Sequence, residues 1–304
     1  MMRVTQSMIS QNSLRNISKS YEKLSKINEQ AQSGKRFTKT SDDPVAAVKS
    51  LQYSTAMFRN EQYQTNLNEA RNWIDTSETS VTEIIDIMSN IRDKVLDAAN
   101  GTKQPEDLAA IGVEIGQMKN QIIDAMNTQM LGKFVFNGTN TNVKPVVENA
   151  DGTFTFNFEN YTDAYVVQSN ISDGITLNVN SNPLSAFGGQ SASGQNVIEM
   201  LTDLENSFKN GTFANSDDAL GDIDQFKEVM SAERSDLGAR SNRVDLVGSR
   251  LTSQFEVLKK AKSDAEDVES EKAILDLLQQ ETVNRAALAT TAKVIQPSLV
   301  DFLR

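Results

Sequence analysis

Residues 53–98 read YSTAMFRNEQYQTNLNEARNWIDTSETSVTEIIDIMSNIRDKVLDA. Taken at alternating steps of three and four they give Tyr53, Ala56, Asn60, Tyr63, Leu67, Ala70, Ile74, Ser77, Val81, Ile84, Met88, Ile91, Val95 and Ala98. Only Asn60 and Ser77 in that series are clearly polar. A repeat of about 3.5 residues held this long lays one apolar seam along one face of a long helix. At 1.5 Å per residue that helix runs roughly 70 Å. Such a helix needs long partner helices along its seam, and the flanking sequence supplies them.

Toward the N-terminus, residues 5–32 predict an amphipathic helix with Leu14, Ile17, Tyr21, Leu24, Asn28 and Ala31 in three-four spacing and Met8 and Ile9 before them. Gly34 stands where a left-handed cap is wanted. Ser41-Asp42-Asp43-Pro44 then starts the long helix: Asp43 caps the free amides and Pro44 takes the first helical position. Read as chemistry, Asp42-Asp43 is a carboxylate pair for acid–base work or a metal. Adjacent acids at a helix start also meet the helix dipole, and capping is the reading adopted.

Beyond the seam, Asn100-Gly101 ends the long helix and Pro105 opens another, over 105–131, with Leu108, Ile111, Ile115, Met118, Ile122 and Ala125 as its seam. The short connection implies an antiparallel return. Residues 133–180 change character. Phe134–Phe136, Val146-Val147, Phe154–Phe158, Tyr165–Val167 and Ile175–Val179 predict short strands, separated by Asn137-Gly138, Asp151-Gly152 and Asp173-Gly174 turns. Asp151 lacks the repeated acids of a calcium loop. Residues 181–195 read as a linker. Val197, Leu201, Leu204 and Phe208 form a short helix closed by Asn210-Gly211. Ser216-Asp217-Asp218 starts the last long seam: Leu220, Ile223, Lys227, Met230, Arg234, Leu237, Ser241, Val244, Gly248, Leu251, Phe255 and Leu258. Lys227, Arg234 and Ser241 interrupt it, as register-fixing polar residues do. After Asp264 the phase is lost. Ile274, Leu277, Leu278, Leu288, Ala292 and Ile295 spread over several faces, which asks for several neighbours.

The 304 residues hold no Cys and no His. Thiol nucleophiles, thiolate sites and imidazole bases or ligands are therefore absent, and neither a metal nor a cofactor is expected. A net charge of −11 argues against nucleic-acid or anionic-membrane binding. No run of about 18 apolar residues predicts a membrane helix, and no apolar core after Arg3 predicts a secretory signal. An enzyme built on carboxylates, Ser and Lys would need a converging concave site, and none is visible. A coiled-coil signalling protein would need a membrane segment or sensor domain. No enzymatic role is expected.

The fold class expected is mainly α: a long antiparallel helical bundle or coiled coil formed by both chain ends, with a small inserted β-rich domain. The expected domains are 1–42 with 266–304 for assembly, 43–132 with 196–265 as a helical bundle, and 133–195 as an outer β-rich insert. Residues 1–42 carry eight Lys/Arg against three acids, and 266–304 seven acids against four bases. The ends thus pair by shape and charge, though exposed pairs contribute only about 0.2–1 kcal/mol each. Two helices cannot hide the multi-faced C-terminal one, so other copies or other proteins must.

Ser33-Gly34-Lys35-Arg36 followed by Asp42-Asp43-Pro44 resembles the N-terminal signature of bacterial flagellins and their relatives. Leu237-Gly238-Ala239-Arg240-Ser241-Asn242-Arg243 resembles their C-terminal motif, and the ending Gln296 to Arg304 is similar too. Gly132-Lys133-Phe134-Val135-Phe136-Asn137-Gly138-Thr139 resembles the approach to their variable central domain. The start, Met2-Arg3-Val4-Thr5-Gln6-Ser7-Met8, looks like the family's hook–filament junction members. The resemblance implies a structural adaptor in the bacterial flagellum, extracellular at the hook–filament junction and exported unfolded by the flagellar type III route. It implies a ring of copies between hook-associated protein 1 and flagellin, with an export chaperone on the C-terminal helix. The filament subunit, flagellin itself, is the alternative. Met8, Leu14, Ile17, Tyr21, Leu24, Ile274, Leu278, Leu288, Ile295 and Leu299 are the expected subunit-assembly residues.

Overall fold

The computed structural model describes residues 6–99, 103–149, 153–157, 166–181, 195–211 and 216–295. Among them lie helices α1 (Gln6–Ser33), α2 (Pro44–Ala99), α3 (Pro105–Met126), α4 (Val197–Lys209), α5 (Ser216–Glu266) and α6 (Ser270–Ile295). Strands β1 (Gln129–Met130) with β2 (Lys133–Phe134), β3 (Val146–Glu148) with β4 (Phe154–Phe156), and β5 (Gln168–Ser172) with β6 (Ile175–Asn178) form three antiparallel pairs. The fold is mainly α, with long helices packed antiparallel, as the sequence predicts. Packing divides the chain into two units, residues 1–59 with 253–304 and residues 60–252.

The seam of α2 is the spine of the second unit. From Leu67 to Ala98 every residue of the predicted series is buried, and Ile74, Val81, Ile84, Met88, Ile91 and Val95 have no exposed surface. Each such side chain contributes about 1.5–3 kcal/mol on burial. The polar member Asn60 is also buried. Its amide donates to the Leu251 carbonyl at 3.1 Å and its oxygen accepts from Gln64 at 2.8 Å. Asn60 with Leu251, Arg71 with Asp245 and Arg92 with Asp224 run α5 antiparallel to α2. Lys94–Glu114 at 2.6 Å and Ser80–Thr128 at 3.1 Å run α3 antiparallel on another side.

Five residues of the α5 series, Ile223, Met230, Leu237, Val244 and Leu251, are buried as expected. Arg234 is not in the seam but exposed. A straight helix drifts against a 3.5-residue repeat, and half-buried Glu233 turns inward instead, accepting from the Ser181 hydroxyl at 2.5 Å.

α3 stops at Met126, short of the predicted 131. The Asn127 side chain clamps Val146 of β3, donating to its carbonyl and accepting from its amide, both at 3.0 Å. The next residues turn back as a hairpin through Leu131 (φ 51°) and Gly132 (φ 78°), the two positive angles of a tight hairpin turn. Val135 and Phe136 are core residues with no exposed surface rather than ladder residues. Strand β5 lies just after the predicted Tyr165–Val167, of which Tyr165 lies outside the described residues. Gln168–Ser172 buries only Ile171 fully, so it carries no apolar alternation to read. Asp173-Gly174 makes the expected turn, with Gly174 at φ 68°. Phe158, Asp151-Gly152 and most of the predicted linker, 182–194, lie outside the described residues.

α4 packs on α3 across two glycines one turn apart. A Cβ at Gly112 would lie 3.0 Å from the Lys209 backbone nitrogen and from Phe208 Cβ. Beside them Lys119, itself buried, pairs with Glu205 at 2.7 Å and stands 5.4 Å from the Phe154 ring. Burial pushes the Glu205 carboxyl up, but Lys119 and Lys209 outweigh it and hold the group below its ordinary range.

Gly112→Ala forces backbone apart and is expected to lower stability by about 1–3 kcal/mol in chemical denaturation of the purified chain. Gly238→Ala in α5 meets open space and is expected to raise it by about 0.5–1 kcal/mol. Equal effects from the two would contradict the close α3–α4 approach.

Candidate assembly interface

The first unit is organised by a buckle between two interhelical links. α1 ends because Gly34 adopts φ 68°, a conformation glycine reaches without steric cost. Its amide still reaches the Gln30 carbonyl at 2.9 Å. Lys35 then pairs as an isolated bridge with Asp267, in the link between α5 and α6. The Arg36 amide donates to the Glu266 carbonyl at 2.7 Å, and the Val268 amide to the Gly34 carbonyl at 2.9 Å. The Glu266 carboxylate, 12% exposed, is ion-paired with Lys35 and accepts from the Ser50 hydroxyl at 2.7 Å. Lys262 stands 4.0 Å away.

The acids that follow are spent on the same corner. Asp43 accepts from the Ala46 amide at 3.0 Å and pairs with Arg36 at 3.1 Å. The Ala46 amide and the Arg36 charge hold its carboxyl below the ordinary range against partial desolvation. Asp42 accepts from the Lys39 amide at 3.3 Å and pairs with Lys26 at 3.4 Å. Desolvation works to raise Asp42, yet the Lys39 amide and Lys26 leave it lowered too. Both are capping and pairing groups, and the described residues hold no cluster of three acidic ligands for a metal.

α1 and α6 pack antiparallel. The covered positions of α1 are Ser10, Ser13, Ile17, Ser20, Leu24, Ile27, Gln30 and Ala31. Those of α6 are Ala273, Leu277, Gln280, Glu281, Asn284, Ala287 and Thr291. Gln280 donates to the Ser20 hydroxyl at 3.1 Å, whereas the buried Asn284 side-chain oxygen has no partner. The contact is thus filled mainly by small and polar residues. Among the described residues no ion pair joins α1 to α6. The opposite charges of the two ends meet at the buckle, through Lys35 and Glu266.

Large apolar side chains lie outside that contact. Met8, Leu14 and Tyr21 on α1 are each more than half exposed. Leu14 and Tyr21 stand roughly a quarter-turn from the covered face. On α6, Ile274, Leu278 and Leu288 form one exposed row, and Leu275 and Val283 face other directions. Of the residues expected at the interface, Ile17 and Leu24 are half-buried in the α1–α6 contact and the three α6 residues remain exposed. The Ile295 side chain and Leu299 lie outside the described residues. Of the motif residues, Ser33, Gly34, Lys35, Arg36, Asp42, Asp43 and Pro44 come together at the corner. Asn242 and Arg243 stand exposed on α5 in the other unit, where their neighbour Arg240 donates to the Asn178 and Asn180 carbonyls at 3.3 and 2.8 Å. Glu266, Ser50, Ser20 and Gln280 carry contacts that the spacing rules miss. The one sequence signal for Glu266 is the acid-rich run where the α5 seam loses phase.

Glu266→Ala leaves Lys35 and Ser50 without their shared acceptor and is expected to cost about 1–3 kcal/mol, read as faster amide exchange in residues 268–273. Unchanged exchange there would show that the backbone bridge alone holds the corner. Because the Asp43 carboxyl titrates lower in the folded chain, its contribution is present above the ordinary carboxylate range and lost as pH falls through the lowered value, below about 4. The gap in Tm between the wild-type chain and Asp43→Asn is expected at neutral pH and should close below that point.

With this geometry in place the likenesses to known proteins fall on both chain ends. Residues 4–141 match the family described as bacterial flagellin N-terminal helical region, and 220–303 its C-terminal helical region. Flagellar hook-associated protein 3 of Escherichia coli K12 is 25% identical over 301 residues, 94% of this chain and 95% of that protein. The flagellin of Bacillus subtilis 168 is 25% identical over 304 residues, 97% of each. A solved structure described as a flagellar hook-associated protein of Vibrio parahaemolyticus shares the fold, with a TM-score of 0.67 at 24% identity, over 74% of this chain and all of that one. No described helix is long and apolar enough to cross a membrane. Matched at both ends by the family's two helical regions, the chain belongs to the bacterial flagellin family, as a non-enzymatic structural protein of the flagellum.

Proposed function

We propose that this chain is the adaptor that joins the flagellar hook, through hook-associated protein 1, to the flagellin filament. Copies assemble into a ring through the terminal helices, residues 1–42 and 266–304. The observation that carries the reading is the row of exposed large apolar residues on α1 and α6, outside a helix contact that Ile17, Leu24, Ile27 and Leu277 share with small and polar residues. Contiguous apolar surface of this kind marks an interaction site. Met8, Leu14, Tyr21, Ile274, Leu278 and Leu288 meet neighbouring subunits directly. Ile17 and Leu24 support them from the helix contact, and Ile295 and Leu299 belong to the same assembly set. The near full-length likeness to a hook-associated protein 3 supports the adaptor role over a general flagellar one.

Residues 43–132 with 196–265 form the bundle that carries this assembly domain, and 133–195 form an outer β-rich domain. Export proceeds unfolded by the flagellar type III route to the cell exterior, with a cytoplasmic chaperone holding the C-terminal helix beforehand. Ordering of the terminal helices is then coupled to assembly, which carries an entropic cost. A second reading, the filament subunit itself, is favoured by the equally long likeness to a flagellin.

Deleting the gene separates the two. The adaptor reading expects hooks without filaments and flagellin free in the medium. The filament reading expects no flagellin anywhere. Leu288→Asp is expected to leave the helical content of the purified chain unchanged while abolishing its incorporation into flagella. Normal incorporation of that variant would remove the exposed row from the interface.

A further inference from the structure

A second face without a partner lies in the unit of residues 60–252. On the outer side of α5, Leu246 is 69% exposed. Arg243, three residues before it, and Arg250, four after it, share its face. Both are exposed, and neither is ion-paired among the described residues. The other cation of this stretch, Arg240, is already paired with Asp236, and Asp245 with Arg71. The outer side of α2 has the opposite sign. Asp75, Glu78, Glu83 and Asp86 lie together on one open face of that helix, with Thr79 and Thr82 among them. None of the four is ion-paired among the described residues, and Ile87 at the edge of the face is 8% exposed.

We propose that the Arg243–Leu246–Arg250 face of one copy docks on this acidic α2 face of a second copy of this chain. This rests on the reading that copies assemble with one another. Two properties of the faces match. An exposed leucine faces the methyl-bearing side chains of Thr79 and Thr82, and guanidinium groups on either side of it face the carboxylates around them. The spacing also fits: Arg243 and Arg250 are about 10 Å apart along α5, and Asp75 and Glu83 about 12 Å apart along α2. The signs fix the kind of contact. Setting α2 on α2, or α5 on α5, opposes like charges, whereas α5 on α2 opposes unlike ones. The contact is therefore α5 on α2, and used head to tail each copy offers one face and receives on the other. Such contacts propagate and close into a ring when the rotation allows.

The test uses the full chain in cells that lack the native copy. Arg243→Glu with Arg250→Glu, and separately Asp75→Lys with Glu83→Lys, are each expected to lower the number of filament-bearing cells about tenfold or more, since like charges across an interface are costly. The chain carrying all four substitutions is expected to regain assembly, as is a mixture of the two defective chains. All sites are exposed, and unchanged thermal unfolding of each purified variant checks the fold. Because the chain has no Cys, Thr79→Cys with Leu246→Cys gives a second readout: oxidised flagella should show a covalent ladder in multiples of 33.5 kDa. Defects that the four-fold variant does not repair would assign the α5 face to a different protein and overturn the proposal. So would wild-type assembly of the charge-swapped chains, and if the deletion strain still sheds flagellin the adaptor role stands without this contact.

Discussion

The apolar stripe from Leu67 to Ala98 on α2 must be kept from water along its whole length, and the course of the chain through residues 60–252 follows from that. One helix cannot do it. α5 covers one side and α3 another, both antiparallel to α2. The chain therefore leaves α3, passes the three hairpins and α4, and re-enters the bundle as α5. The stripe supplies the larger part of the stability, since its seven side chains between Ile74 and Val95 are wholly buried. It does not choose among registers, because sliding α5 by one heptad would again set apolar on apolar. Polar groups make that choice. Asn60 has one carbonyl to reach, that of Leu251, and Arg92 grips both oxygens of Asp224 at 2.6 and 3.0 Å. Exposed ion pairs add about 0.2–1 kcal/mol each, too little to hold the bundle and enough to disfavour its misaligned forms.

What the sequence made legible is what local rules govern. The α2 seam, the Asp43 cap, the glycine stops at Gly34 and Gly211, and the turn at Gly174 each depend on neighbours a few residues away. What it hid depends on partners far along the chain. Gln168–Ser172 is a strand because Ile175–Asn178 folds back on it, although four of its five residues are polar. α3 stops at Met126 because Asn127 is claimed by Val146, nineteen residues on. Arg234 sits at a seam position by counting, yet Glu233 is turned inward by Ser181. The buckle is the clearest case. Near Glu266 only an acid-rich run marks the place, and its role appears only when Lys35 and Ser50, more than two hundred residues earlier, arrive beside it.

The α1–α6 pair inverts the logic of the bundle. In the bundle the large apolar residues face inward. Here Ser10, Ser13, Ser20, Gln280 and Asn284 face inward, while Leu14, Tyr21, Ile274 and Leu278 face out. An apolar-periodicity rule picks Leu14 and Tyr21 as seam residues and overlooks the serines, because it assumes that the contact is where the apolar side chains are. The contact covers Ile17, Leu24, Ile27 and Leu277 only in part and otherwise holds serine, alanine and polar side chains, so its apolar area is modest. The unpartnered oxygen of Asn284 opposes it further, since a buried acceptor without a donor costs about 1–3 kcal/mol. The pair is therefore held less by its own contact than by the corner that joins its two links.

That corner decides what the exposed rows can do. Two helices joined only by a weak contact would slide or separate, and their leucines would form no fixed surface. The paired backbone of Gly34–Arg36 and Glu266–Val268 sets the register at one end. Gln280 on Ser20 repeats it farther along. Between these two fixed points Tyr21 keeps a constant offset from Ile274 and Leu278, with Leu14 about two turns beyond the second, so the exposed side chains are held as a surface rather than loose hydrophobic ends. A pair that turned Leu14, Tyr21, Ile274 and Leu278 inward as well would be more stable alone and would present a polar surface to a neighbour. The arrangement gives up stability in the single chain and keeps the apolar area for another partner, a sensible division for a member of a family of flagellar structural proteins.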